Sequence, residues 1–282
     1  PFTTSPSTNK LKTIIVCNGT GSTIVGWSQF FSMGVHDFLM RGYAVAYIET
    51  LNNNLTNRYP TYILGVAACN AKANTNPNAY SAYYSTQFTM AAARFLSGKQ
   101  DEYGVDPNDI YASGHSGGSL GVYGLAYSTQ ANYPTLSTSK LCTGLVGALS
   151  PVMGDLNNIT LDAYKTSTYN LDAISIWGGS TWINNPKYTN IFDPTDNIPA
   201  IIFHGMNDGS IPITGSSDHQ SQSNIKSQFV SNSIPFWGFA MCNGSHEVIS
   251  YNGVQNASSP KPSTATNLLS QDVSDILGSN TF

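Results

Sequence analysis

Apolar residues come in short continuous runs along this chain, separated by long polar stretches. Thr13-Ile14-Ile15-Val16-Cys17 is unbroken and β-branched, the signature of a strand buried on both faces of a parallel sheet. Similar runs at 43–48, 109–113, 141–149, 198–203 and 235–241 predict further strands. Between them the apolar period lengthens. Phe31, Val35, Phe38 and Leu39 share one helical face in a segment at 30–40 that stops at Gly42. Helices are also predicted at 86–96, 120–128 and 225–230, with an amphipathic closing helix at 268–277. Residues 1–10 read as a loose arm and 52–80 as a long Asn-rich loop. Asp106-Pro107-Asn108 reads as a turn before the third strand. Strands alternating with helices imply βαβ units, so the fold class is α/β with a mostly parallel sheet. The 282 residues suffice for one large domain, and no shift in composition divides them.

Composition narrows the partners. A net charge of −4 provides no basic stripe for phosphates, which argues against nucleic acid. Only 10% of residues are charged, against a usual quarter, so Ser, Thr and Asn carry the polar surface. Such a surface fits a secreted protein. No apolar run approaches the ~20 residues that span a bilayer. The chain starts at Pro1 without a signal peptide, which reads as a processed or trimmed form. Cys17, Cys69, Cys142 and Cys242 match no zinc spacing, and their even number favours two disulfides in an oxidising compartment. Cys242, four residues before His246, is expected to anchor that loop by one of them. Glycosylation sequons occur at Asn18, Asn54, Asn158, Asn243 and Asn256. Asn18 and Asn243 lie in the loops assigned chemistry below and are expected to be unmodified.

That chemistry begins at Gly114-His115-Ser116-Gly117-Gly118, between a strand and a helix. Glycines flank a nucleophile there because the turn is strained and the helix passes close behind it. A serine needs a base, and histidine has a suitable pKa. Of five histidines, His36 sits on the first helix, His115 packs behind the elbow, His204 reads as a structural turn residue, and His219 lies in a polar loop. His246 follows the last strand, at the carboxyl edge where open parallel sheets bind ligands, and is the predicted base. Asp208, just past the fifth strand, is the predicted carboxylate, ahead of Asp193, Asp196 and Asp218, which read as turn caps. The oxyanion donors are assigned to the N–H of Gly117 and to the loop Asn18-Gly19-Thr20-Gly21, with Thr20 favoured over Gly19 and Gly21. That loop lacks the endings of a nucleotide cradle.

The order Ser116, Asp208, His246, together with Val105-Asp106-Pro107, His204-Gly205, Ile211-Pro212 and Gly244-Ser245-His246, resembles the α/β-hydrolase superfamily on its secreted esterase side. The nearest flavours are the dienelactone-hydrolase-like, feruloyl-esterase-like and cutinase or polyester-hydrolase-like groups. The resemblance implies a central sheet of about six to eight strands with helices on both faces. It also implies acyl transfer through Ser116 with no metal or organic cofactor. The superfamily's early antiparallel strands are reduced to residues 1–12, which favours about six. The oxyanion loop also departs from the His-Gly-Gly-Gly of lipase-type esterases. Residues 154–196 occupy the place of a cap insertion. There Trp177, Trp182, Tyr164, Tyr169 and Tyr188 either line a substrate cleft or form the cap's own core. The implied substrate is an ester of a plant polymer or carbohydrate, feruloyl or acetyl, or a polyester. The alternatives are a lipase or cutinase on acyl esters, a serine peptidase, and a catalytically silent binding module on the same fold.

Overall fold

In the computed structural model, which describes residues 10–17, 38–48, 77–132, 156, 163–181, 191–216, 220–242 and 244–246, six short runs pair into one sheet. They are β1 (Leu11–Cys17), β2 (Ala44–Ile48), β3 (Val105–His115), β4 (Leu171–Trp177), β5 (Ala200–Gly205) and β6 (Phe236–Met241). The order is β2-β1-β3-β4-β5-β6, with every neighbouring pair parallel. The described helices are α1 (Pro77–Gly98), α2 (Gln100–Tyr103), α3 (Gly118–Tyr127) and α4 (Gln222–Asn232).

The continuous apolar runs are strands because both their faces are covered. Ile14, Ile15, Val16 and Cys17 of β1 are all buried. On one face Ile15, Ala112, Ile174, Ile176, Ala200 and Ile202 meet α1, α3 and α4 in a single core. α3 is buried along almost its whole length and lies between the sheet and α1. Thr86 and Thr89 of α1 seat directly against Gly124 and Gly121, so the two helices pack closely. Beyond α3 an aromatic group closes the core: Phe229 of α4 meets Tyr127, Phe192 and Phe236 with ring centroids 5.6, 4.8 and 5.4 Å apart. On the other face Phe38 contacts Tyr43, which contacts Tyr111, each pair 5.8 Å apart. Phe38 belongs to the end of a helix that stops at Gly42, as predicted. Gly42 adopts φ +83°, and the N–H of Tyr43 donates back to the Phe38 carbonyl.

Three expectations need correction. The first is the cap. Residues 171–177, inside the segment read as a cap, form β4, a central strand beside β3. Its burial alternates, with Ile174 and Ile176 in the core and Ser175 and Trp177 on the other face. The run predicted as a strand at 141–149 lies outside the described residues. The second correction concerns the 52–80 loop, whose last part is helix, since α1 starts at Pro77. Proline suits a first helical turn, where its missing N–H has no acceptor. The third is the turn at Asp106-Pro107-Asn108. It is a bulge inside β3: Leu11 pairs with Val105, but Thr13 pairs with Ile110. The Asp106 carboxylate caps it by accepting from the Asn108 N–H at 2.9 Å. The predicted arm at 1–9 and the helix at 268–277 lie outside the described residues.

The sheet order also places the site. From β1 the chain steps outward to β2, then returns past β1 to β3 and continues in the opposite direction. The carboxyl ends of β1 and β3 therefore flank the point where strand order reverses. In open parallel sheets that reversal point is where outgoing connections part to opposite sides and ligands bind.

Candidate active site

Ser116 is the first residue after β3 and takes φ +52°, a left-handed conformation that costs a non-glycine residue about 1–2 kcal/mol. Neighbouring groups hold it there. Its N–H donates to the Trp177 carbonyl at 3.1 Å, and its carbonyl accepts from the N–H of Ser119 at 3.0 Å and from the Ser119 hydroxyl at 2.6 Å. Gly114 is required behind the turn, since a Cβ there would come within 2.8 Å of the Ser119 Cα and 2.9 Å of the Gly118 carbonyl. The strain aims the hydroxyl out of the sheet edge, where His246 Nε2 lies 2.7 Å from Ser116 Oγ.

The far side of the imidazole meets a carboxylate. His246 Nδ1 is 2.8 Å from Asp208 Oδ2, so Nδ1 carries the proton and Nε2 is free to accept one from Ser116. The other carboxylate oxygen, Oδ1, accepts the N–H groups of Ser210 and Ile211, each at 2.8 Å. Asp208's side chain has no exposed surface, whereas His246 keeps 17% of its own, so the ring reaches solvent and the carboxylate does not. Burial alone would raise the Asp208 carboxyl. The hydrogen bonds from His204, His246 and the Ile211 N–H outweigh it and hold the group well below the usual carboxylate range.

The loop carrying His246 rests on the loop carrying Asp208. Asn207 N–H donates to the Gly244 carbonyl at 2.8 Å. Gly205 sits so close to the Gly244 and Ser245 carbonyls that a Cβ would collide with both. His115 fixes the base from below. Its Nε2 lies 3.2 Å from the His246 carbonyl, which can only accept, so the imidazole donates. His115 is 1% exposed, and burial lowers its pKa to about 4, leaving it neutral at ordinary pH.

Ser116, Asp208 and His246, the residues the sequence singles out, thus lie in one hydrogen-bonded chain. Gly117 follows the serine at the N-terminus of α3, where the first N–H groups of a helix have no acceptor in the helix. Gly19, Thr20, Gly21, Trp182 and Tyr188 lie outside the described residues, as do His36, His219, Asp218 and all five sequons. Asp193 and Asp196 cap a turn, the Asp193 N–H donating to the Asp196 carboxylate at 2.8 Å.

The aromatic cleft reading needs correction at three positions. Trp177 belongs to the sheet. Its ring stacks on Phe203 at 3.9 Å, which stacks on Phe239 at 4.9 Å, and its indole N–H donates to Ser175. Tyr164 packs on Phe95 and Gly98 of α1, and Tyr169 joins the core just ahead of β4. Both tyrosines precede β4, at the amino ends of the strands and away from the serine. The disulfide expectation fails as well: Cys17 and Cys242 are free thiols, one buried and one exposed. Cys69 and Cys142 lie outside the described residues. Among the described residues no group of His, Cys, Asp and Glu is arranged to hold a metal ion. None of the helices described there is long and apolar enough to cross a membrane.

His204, which the sequence offers as a structural turn residue, lies beside Asp208, and Gln222, which the sequence does not single out, bonds to it, with Gln222 Nε2 3.0 Å from His204 Nδ1. A polar residue closing an otherwise buried strand was the available signal for His204.

No protein-family model matches the chain, and no curated protein matches it. Solved structures do. A truncated form of a carbohydrate esterase from gut microbiota superposes with a TM-score of 0.56 at 17% identity, covering 86% of this chain and 80% of that one. Esterase 2 of Thermogutta terrifontis, phosphorylated by paraoxon, superposes at 0.51 with 14% identity, covering 99% and 86%. The fold is that of the α/β-hydrolases. β3, Ser116 and α3 are a strand, a sharp turn and a helix, and Asp208 and His246 come after β5 and β6.

Proposed function

We propose that the protein is a serine carboxylic-ester hydrolase in which Ser116 is the nucleophile, His246 the general base and Asp208 the carboxylate that orients it. The observation that carries this reading is the continuous chain Ser116 Oγ to His246 Nε2 at 2.7 Å and His246 Nδ1 to Asp208 Oδ2 at 2.8 Å. Ser116 Oγ attacks the ester carbonyl as its proton passes to His246 Nε2. Asp208 stabilises the imidazolium that results. The intermediate's oxyanion is met by the Gly117 N–H, helped by the positive end of α3, with Thr20 as the proposed second donor. His246 then protonates the leaving alcohol, and water hydrolyses the acyl-enzyme by the same steps in reverse. No step calls for a metal or an organic cofactor.

The substrate reading is an ester of uncharged groups, carbohydrate-linked or polymeric. It is supported by the low charge of the chain and by the likeness to a carbohydrate esterase. A secreted location is proposed on the charge-poor composition, without help from Cys17 and Cys242, which are free.

A panel of p-nitrophenyl acyl esters, methyl ferulate, acetylated xylan and a polyester film tests this. Hydrolysis of at least one class is expected. Ser116→Ala should lower kcat by on the order of 10⁴–10⁶ with the fold retained. A folded Ser116→Ala variant with near-normal turnover refutes the assignment.

A further inference from the structure

Asp208 has two imidazoles beside it. His246 Nδ1 is 2.8 Å from Oδ2, and His204 Nε2 is 3.4 Å from the same oxygen. A carboxylate shared evenly between two imidazoles would hold neither in a defined orientation. The surroundings of His204 decide how it is shared.

His204 closes β5 and is 2% exposed. Its Nε2 lies 2.7 Å from the Ile211 carbonyl, a group that can only accept, so Nε2 bears a hydrogen directed at that carbonyl. The opposite nitrogen, Nδ1, faces the side-chain amide of Gln222 at 3.0 Å. The orientation of that amide is fixed in turn, because its nitrogen also lies 2.7 Å from the Gly179 carbonyl. Turning the amide over would set two oxygens against each other at that distance. Gln222 therefore presents an N–H to His204, and Nδ1 must accept. Two backbone carbonyls, Gly179 at one end and Ile211 at the other, thus determine which ring nitrogen donates.

Ile211 is held on both sides of its own peptide unit: its carbonyl by His204 and its N–H by Asp208 Oδ1 at 2.8 Å. The His204 ring thereby closes the turn from Gly205 to Ile211 that displays the carboxylate. Its Nε2 hydrogen points chiefly at Ile211, 2.7 Å away, and meets Oδ2 only at 3.4 Å, so the shorter bond to Oδ2 is that of His246. Gly179 belongs to the same support. It packs against Ser119, whose hydroxyl bonds the Ser116 carbonyl, so nucleophile and acid are referenced to one stretch of chain after β4.

We propose that His204 is a positioning residue: protonated on Nε2 alone, it holds the Asp208 turn so that the carboxylate takes the Nδ1–H of His246. This rests on the reading of Ser116, Asp208 and His246 as the reacting set.

The test compares wild type, His204→Gln and His204→Leu on p-nitrophenyl butyrate. Gln carries a donor to about the place of Nε2, whereas Leu carries none. His204→Leu should lower kcat by about 10–100-fold with KM within about twofold, since a small misplacement of an oriented group costs on that scale. His204→Gln should recover most of the loss. An unchanged kcat in folded His204→Leu, an effect confined to KM, or equal losses in both variants overturns the proposal. If the leucine variant does not fold, nitrogen NMR of the wild-type ring decides. Nε2 protonated and Nδ1 bare is expected, and a proton on Nδ1 overturns the proposal. A wild type that cleaves no ester refutes the functional reading instead. An active wild type with an indifferent His204 refutes this inference alone.

Discussion

His115 and Cys17 show what burial does to single titratable groups here. His115 is sealed beneath the base, and its pKa falls from 6.5 to about 4. The unfolded chain therefore binds a proton that the folded chain refuses between those values. Its stabilising contribution is complete above about pH 6.5 and is lost as pH falls toward 4. A shift of about 2.5 units corresponds to about 3 kcal/mol. Between pH 7 and pH 4.5 urea unfolding should show a stability loss larger in the wild type than in His115→Gln by most of that amount, the opposite effect of Asp196, whose carboxyl is raised by burial to about 6, being common to both. Equal losses in the two would place the acid sensitivity elsewhere. Asp208 does not confuse the reading, because its carboxyl is depressed. Its contribution is present above about pH 4 and lost only below that. Cys17 is also buried at the end of β1, and burial pushes its thiol up to about 12. Cys242 is exposed. In the native protein an aromatic disulfide reagent should modify Cys242 and leave Cys17 untouched until urea is added. Peptide mapping that finds native Cys17 modified would contradict its burial.

At the scale of elements, the site depends on loops that lie against each other. Gly205 lets the backbone of Gly244 and Ser245 pass over the end of β5. Gly205→Ala should push that backbone outward, pull His246 from Asp208 and lower kcat at least about tenfold. A stability loss of about 1–3 kcal/mol should accompany it, as in other overpacked sites. Full activity in that variant would mean the base loop does not need the close approach. The same scale explains what could be read in advance. β1, β2, β3, β5 and β6 are continuous apolar runs or end at turn residues, and their strand character is local. β4 alternates Ile174 and Ile176 with Ser175 and ends in Trp177. Its two isoleucines stand in a segment of weak periodicity, rich in Trp and Tyr, at the place where the resembling fold carries a cap, so its strand character is not local. Ser116, Asp208 and His246 were legible because each lies at or a few residues beyond the carboxyl end of a strand. His204 was legible as a turn residue, but Gln222 was not, since its meaning is a contact between β5 and α4 that neither segment carries alone.

For the whole molecule, the strand order β2-β1-β3-β4-β5-β6 sets Ser116 beside the reversal point, and beyond the intervening β4 the strands β5 and β6 deliver Asp208 and His246. A parallel sheet directs all those carboxyl ends to one edge, so three residues spread over about half the chain converge without any insertion. The central claim is that this convergence makes Ser116 a nucleophile. Its most direct test is treatment of the native protein with a fluorophosphonate, followed by intact mass and peptide mapping. One adduct on Ser116 is predicted, forming in step with loss of esterase activity and absent after His246→Ala on the same timescale. An adduct on another serine that accompanies inactivation, or persistent ester cleavage by protein fully labelled at Ser116, would contradict the account.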